Sequence, residues 1–144
     1  MPLLTRLHPL QTRLWQISLA IYWPAFVLLL HWPLKLKPAH PWDFSDKIVH
    51  TALYAILAFL VAGTIDALAH RWPAIDRLSA IGRMALVFVA VCLHGLLDEV
   101  TQPLTSRTFD WWDLAADAVG AIVALVIYGL LFVRIAPNAV ASRN

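Results

Sequence analysis

Leu114–Val133 reads LAADAVGAIVALVIYGLLFV, twenty residues in which Asp117 is the one acidic or basic residue. A stretch of about 20 apolar residues is what an α-helix needs to cross the hydrocarbon of a bilayer. Backbone amides in lipid must be satisfied within the segment, and this one lacks the alternation of a barrel strand, so it reads as a transmembrane helix. Asp117 inside it is costly unless it faces the interior of a bundle.

Three further stretches read the same way: Leu14 to Trp32, Ile48 to Leu68, and Met84 into His94–Gln102. The purely apolar part of the third, Met84 to Leu97, would rise only about 21 Å, so this span is either short or carries Asp98, Glu99 and Gln102 to membrane depth. Pro24 is expected to kink the first span. The chain has 144 residues, 60% hydrophobic and 14% charged, with a mean hydropathy of +0.69. The predicted fold is therefore all-α, an integral bundle of four transmembrane helices with short loops, forming a single domain over residues 1–144 with a motif-bearing core at 46–120.

A formal charge of +2 and singly scattered basic residues exclude a nucleic-acid partner and fit a modest attraction to anionic lipid. The single cysteine, Cys92, excludes an internal disulfide and reads as an inert core thiol. The basic flank before the first apolar run is followed by no small-residue cleavage pattern, so that run is expected to be retained as a span. Tryptophans at the predicted borders, Trp15, Trp23, Trp32, Trp42 and Trp111–Trp112, suggest an aromatic belt. Arg6, Arg13, Arg71, Arg77, Arg83, Arg134 and Arg143 fall on one side, against Lys35, Lys37, Lys47 and Arg107 on the other. The positive-inside rule then predicts a protein of the cytoplasmic membrane with both termini cytoplasmic.

The acids divide more sharply. Asp43, Asp46, Asp98, Glu99, Asp110, Asp113 and Asp117 fall on the non-cytoplasmic side, and only Asp66 and Asp76 on the other. The connections between spans one and two and between spans three and four emerge on the same face, so these residues can meet. Asp46, His50 and Tyr54 are spaced i, i+4, i+8, one stripe of a helix. Ser45 could cap that helix, and Asp46 suits its dipole. His94, Asp98 and Gln102 repeat the spacing, with Glu99 rotated about 100° from Asp98, which gives the two acids different surroundings. Pro103 ends this helix. Asp110, Asp113 and Asp117, at i, i+3, i+7, share a face at the start of the fourth span, with Asp110 a candidate N-cap. Ala116, Gly120 and Ala124 supply small residues for close helix packing.

The series Asp46-Lys47-x-x-His50-x-x-x-Tyr54, Gly95-x-x-Asp98-Glu99-x-x-Gln102 and Arg107-x-x-Asp110-x-x-Asp113-x-x-x-Asp117-x-x-Gly120 resembles the pattern of VanZ-like membrane proteins. One departure is Asp117, where members of that family often carry asparagine. The resemblance implies a small multi-span protein whose namesake is linked to low-level resistance to the glycopeptide teicoplanin; it does not supply a reaction.

Three functions compete at this point. A membrane-embedded hydrolase or transferase would use His50, Asp98 and Glu99 for acid/base chemistry on a cell-envelope or lipid-linked anionic substrate. Arg107, with its planar fork, would hold the anion, and Asp46, Lys47, Tyr54, Gln102, Asp110, Asp113 and Asp117 would line the site. One imidazole among carboxylates is also compatible with a divalent metal, with His50, Asp98, Glu99 and Asp113 as candidate ligands. A non-catalytic binder of envelope precursor or antibiotic needs the same polar concentration without a tuned acid and base. A small proton-coupled transporter component would need ionisable residues through the bilayer, and the cytoplasmic half offers chiefly Asp66 and Thr64.

Overall fold

The structure is a computed structural model that describes residues 4–31, 44–105 and 108–133. Four long helices dominate: α1 (Leu4–His31), α2 (Phe44–Leu68), α4 (Ala80–Thr101) and α5 (Trp111–Phe132), with a single-turn α3 (Pro73–Asp76) between α2 and α4. All four long helices are apolar enough over at least 18 residues to cross a membrane. No strand occurs among the described residues. The four-span, all-α reading therefore holds.

Element boundaries follow local chemistry. Ser79 caps α4, its hydroxyl accepting from the Gly82 amide, and Asp110 caps α5, its carboxylate accepting from the Trp112 amide at 2.9 Å. Pro73 sits in the first turn of α3, where its missing N–H costs nothing. Pro103 lies in a 3₁₀ turn, Gln102–Thr105, that follows the end of α4. Pro9 and Pro24 both lie within α1 without ending it. α2 begins at Phe44, so Ser45 falls inside the helix and not ahead of it as a cap.

α2 is the centre of the bundle. It packs most extensively against α5, then α1, and more lightly against α4, which also lies on α5. The α2–α5 seam is close because Gly120 has no side chain: a Cβ there would lie 2.2 Å from the Thr51 carbonyl oxygen. Ala116 contributes its carbonyl to the same seam, accepting from the Thr51 hydroxyl at 3.3 Å, and Ala124 is buried further along. Small residues at four-residue spacing thus bring two backbones together, where dispersion and local hydrogen bonds replace the hydrophobic effect that lipid does not supply. The buried core is apolar and aromatic, with Phe26, Tyr54, Leu57, Val87, Val91, Ala121, Leu125 and Tyr128. Leu14, Ile17, Ile21, Val89, Leu93, Ile122, Val126 and Leu130 are exposed outward, as expected of surface that meets acyl chains.

At the end that holds the N-terminal half of α1, Trp15 packs against Phe59, Tyr128 and Phe132. This tryptophan belongs to the bundle and not to an interfacial belt; Trp72, Trp111 and Trp112 are exposed at helix ends, and Trp32 and Trp42 lie outside the described residues. Tyr128 donates to Asp66 at 2.9 Å and Arg83 donates to the other Asp66 oxygen at 2.5 Å. Asp66 is thus tied to its own cation. Cys92 is partly exposed and unpaired, which corrects its reading as a core thiol.

Candidate functional site

The opposite end gathers the C-terminal turns of α1 and α4 with the N-terminal turns of α2 and α5. Lys47, in the first turns of α2, reaches across to α5 and donates to Asp110 Oδ2 at 2.5 Å and to Asp113 Oδ1. Burial would raise the Asp110 carboxyl, but the Lys47 ammonium and the Trp112 amide outweigh it and hold Asp110 below the usual carboxylate range. Lysine here joins the two helices that Gly120 holds closest.

One turn further in, His50 is fully buried, as are Asp113 and Asp117 almost entirely. His50 Nδ1 lies 2.9 Å from Asp117 Oδ1. A carboxylate oxygen accepts, so Nδ1 carries the hydrogen. The other ring nitrogen, Nε2, points toward Asp113 Oδ2 at 3.9 Å and has no hydrogen-bond partner within the protein. Asp46, half-buried on the same helical stripe, completes a cluster: one ligand-type atom from each of Asp46, His50 and Asp113 lies within 4.8 Å of the others.

Tyr54 continues the stripe. Its ring lies parallel to that of His50, with centroids 6.4 Å apart, and packs edge-on against Phe26. Its hydroxyl is 3.3 Å from His94 Nδ1. His94 Nε2 accepts from the Trp23 indole N–H at 3.0 Å, and indole nitrogen can only donate. That contact places the single proton of the neutral imidazole on Nδ1, so His94 donates to the Tyr54 oxygen. The Tyr54 hydrogen remains for an acceptor, and Asp98 is its side-chain partner.

The two adjacent acids of α4 go to different neighbours, as their 100° offset requires. Asp98 turns toward α1, with Oδ1 3.4 Å from His31 Nε2. His31 is fixed by its Nδ1–H donating to the Val27 carbonyl at 3.1 Å, and its Nε2 also lies 3.1 Å from the Thr101 hydroxyl. Glu99, fully buried, turns toward α5: Oε2 accepts from the Asp110 backbone N–H at 2.9 Å and Oε1 from the Gln102 amide at 2.5 Å. Both of its oxygens are thus occupied by donors that anchor the start of α5.

Ten of the eleven candidate site residues fall in this one region; the other, Arg107, lies outside the described residues. Of the four candidate metal ligands, His50 and Asp113 stand together, whereas Asp98 and Glu99 are directed to α1 and to the α5 cap. Asp46 takes their place in the cluster. His31, Thr101 and Trp23 were absent from the candidates. The signal for His31 was available: a histidine closing the first span lies at the same membrane end as Asp98. Nothing in the spacing of Trp23 distinguished a hydrogen-bonding indole from a belt residue.

The family model described as VanZ/LLP1 matches residues 5–132, nearly the whole chain. The chain belongs to the VanZ/LLP1 family. No curated protein and no solved structure matches it. The match extends beyond the motif-bearing core into α1, the helix that contributes Trp23 and His31 to the polar end.

Proposed function

We propose that this family member binds, and as a hydrolase or transferase acts on, an anionic lipid-linked or cell-envelope substrate at the extracytoplasmic end of its bundle. The observation that supports this most directly is the buried His50–Asp117 pair, whose second ring nitrogen is turned, without a protein partner, toward Asp113. An imidazole oriented through one nitrogen by a carboxylate is in the arrangement from which the other nitrogen takes a proton from a nucleophile or holds an electrophilic cation. Its depth, nearly two turns below the α2 and α5 termini, suits a headgroup entering from the interface. Arg107, in the connection that leads into α5, would meet the anion, and by the positive-inside rule the lysine and arginine distribution supports an orientation with this end outside.

Glu99 has both oxygens occupied and Asp98 is turned to His31, so in this reading both acids shape the site while His50 faces the chemistry. The same occupancy favours, as a second reading, a binder of envelope precursor or glycopeptide that performs no reaction. Asp66, the acid a proton path would need at the other end, is engaged by Arg83 and Tyr128.

The test is binding of lipids with phosphate-bearing headgroups to the purified chain in nanodiscs, followed by native mass spectrometry and product analysis. Retention and turnover lost in His50→Ala support the enzyme. Retention that depends on Arg107 without any product supports the binder. Equal retention of neutral and anionic lipids overturns both. In cells, the envelope reading expects changed susceptibility to teicoplanin. Arg107→Cys in a Cys92→Ser background should react with an impermeant thiol reagent from outside; labelling only from the cytoplasm would reverse the orientation.

A further inference from the structure

We propose that Asp46, His50 and Asp113 form a divalent-cation site, in which Asp117 is the residue that orients the imidazole. Acids alone would not carry this, because a cluster of carboxylates at a helix terminus is common. The independent observation is His50: fully buried, held through Nδ1–H by Asp117 Oδ1 at 2.9 Å, with Nε2 unpartnered and aimed into the cluster. Histidines that bind metals almost always donate their other N–H to a carboxylate or carbonyl, which fixes the tautomer and raises the basicity of the ligating nitrogen. His50 has that arrangement.

The spacing suits a shared ion. Two atoms each about 2.0–2.2 Å from one cation lie within roughly 4.4 Å of each other, and His50 Nε2 to Asp113 Oδ2 is 3.9 Å. Asp46 supplies a third atom within 4.8 Å, so a small rotamer adjustment closes the set. Lys47 does not compete for the same lone pairs, since it sits on Asp113 Oδ1 while Oδ2 faces His50. It neutralises the outer side of Asp113 and leaves the inner side to the ion.

Charge also calls for a cation. Asp46, Asp98, Glu99, Asp110, Asp113 and Asp117 crowd this end, and among the described residues there the one lysine or arginine is Lys47. Such a site would repel an anionic headgroup until a divalent ion bridged the two. The ion site follows from the geometry; its use as a bridge to substrate rests on the function proposed above. One nitrogen and two carboxylates suit Mn²⁺ or Zn²⁺ better than Ca²⁺, which takes oxygen ligands alone, and leave coordination positions open.

Titration of the full-length chain in detergent with Mn²⁺, followed by electron paramagnetic resonance without any lipid substrate, tests the ion site by itself. One saturable ion per chain is expected, with nitrogen hyperfine coupling from His50 and displacement by Zn²⁺. Asp113→Asn and His50→Gln should abolish saturable binding, and Asp117→Ala should weaken it about 10–100-fold. Asp46→Asn, at a half-exposed position, keeps the test valid if the buried variants fail to fold, and it should lose at least one order of magnitude in affinity. Asp66→Asn, at the opposite end, should bind as the unaltered chain does. Absence of saturable binding, binding without nitrogen coupling, or binding indifferent to Asp46→Asn overturns the site. A chain that binds Mn²⁺ but neither retains nor converts an anionic lipid keeps the ion site and loses the proposed function.

Discussion

Gly120→Ala should unlock the polar site from a distance. The added Cβ would lie 2.2 Å from the Thr51 carbonyl oxygen and 3.1 Å from the Ala55 nitrogen, so it meets backbone that no rotamer change can move. Reaching an ordinary contact of 3.4 Å at the carbonyl requires α2 and α5 to separate locally by about 1 Å. His50 precedes Thr51 on α2, and Asp117 lies three residues before Gly120 on α5. The same displacement therefore lengthens the 2.9 Å His50–Asp117 contact to about 3.9 Å, beyond hydrogen-bond range. Overpacking costs about 1–3 kcal/mol, and a backbone obstacle places this case near the upper value. Alanine's better helix propensity returns only about 0.5–1 kcal/mol, so the contact decides the sign.

Thermal unfolding in detergent, read through tryptophan fluorescence, should show a clear loss of stability. Nitrogen-15 spectra of histidine-labelled protein should show the His50 ring losing its Nδ1–H hydrogen bond. Gly129→Ala is the control, since its Cβ would meet only the flexible Met84 side chain, with Sδ at 3.5 Å. It should leave the His50 signal unchanged and cost no stability, with a gain of up to about 0.5–1 kcal/mol from helix propensity. If Gly120→Ala keeps wild-type stability and an intact His50 signal, the α2–α5 seam does not set the geometry of the site.

Lys47→Gln removes the cation between Asp110 and Asp113 and leaves a nearly buried carboxylate without its charge partner; with the partial solvation of the lysine, a loss of about 2 kcal/mol is expected in unfolding measurements. Glu99→Leu strips the acceptor from both the Asp110 N–H and the Gln102 amide, and should cost about 1–3 kcal/mol per unsatisfied donor, with hydrogen exchange quickening first in the opening turn of α5. Tyr128→Phe deletes the 2.9 Å bond to Asp66 and should cost about 1 kcal/mol while leaving Mn²⁺ affinity at the other end unchanged. Trp23→Phe removes the donor to His94 Nε2; a shift in the His94 ring nitrogens is expected, and unaltered tautomer signals would contradict the chain of bonds from Trp23 to Tyr54.

Periodicity carried a good deal of this site. The stripes of α2 and α5 were readable from their spacing, because a helix fixes which side chains share a face. The offset of Glu99 from Asp98 likewise told that the two acids part company. It did not tell where each goes. Spacing names a face, and which helix covers that face depends on neighbours far away in sequence. Lys47 was expected to line the site, and only the packing shows that it crosses to Asp110 and Asp113. The metal candidates were drawn from α4 as readily as from α2 for the same reason.

The sequence by itself determined the membrane class, the four helices and the collection of acids at one end. Length, hydropathy and the parity of span connections leave little freedom in those, because lipid forbids unsatisfied backbone and tolerates charge only where it faces inward. Tertiary structure decided the partners. The close α2–α5 seam at Gly120 sets His50 against Asp117 and turns Nε2 toward Asp113. α1 brings His31 to Asp98, and Glu99 is spent holding α5. Those pairings rest on distances of a few ångströms between segments up to about seventy residues apart, where a shift of 1 Å makes or breaks a hydrogen bond. That is below what any pattern along one helix can encode.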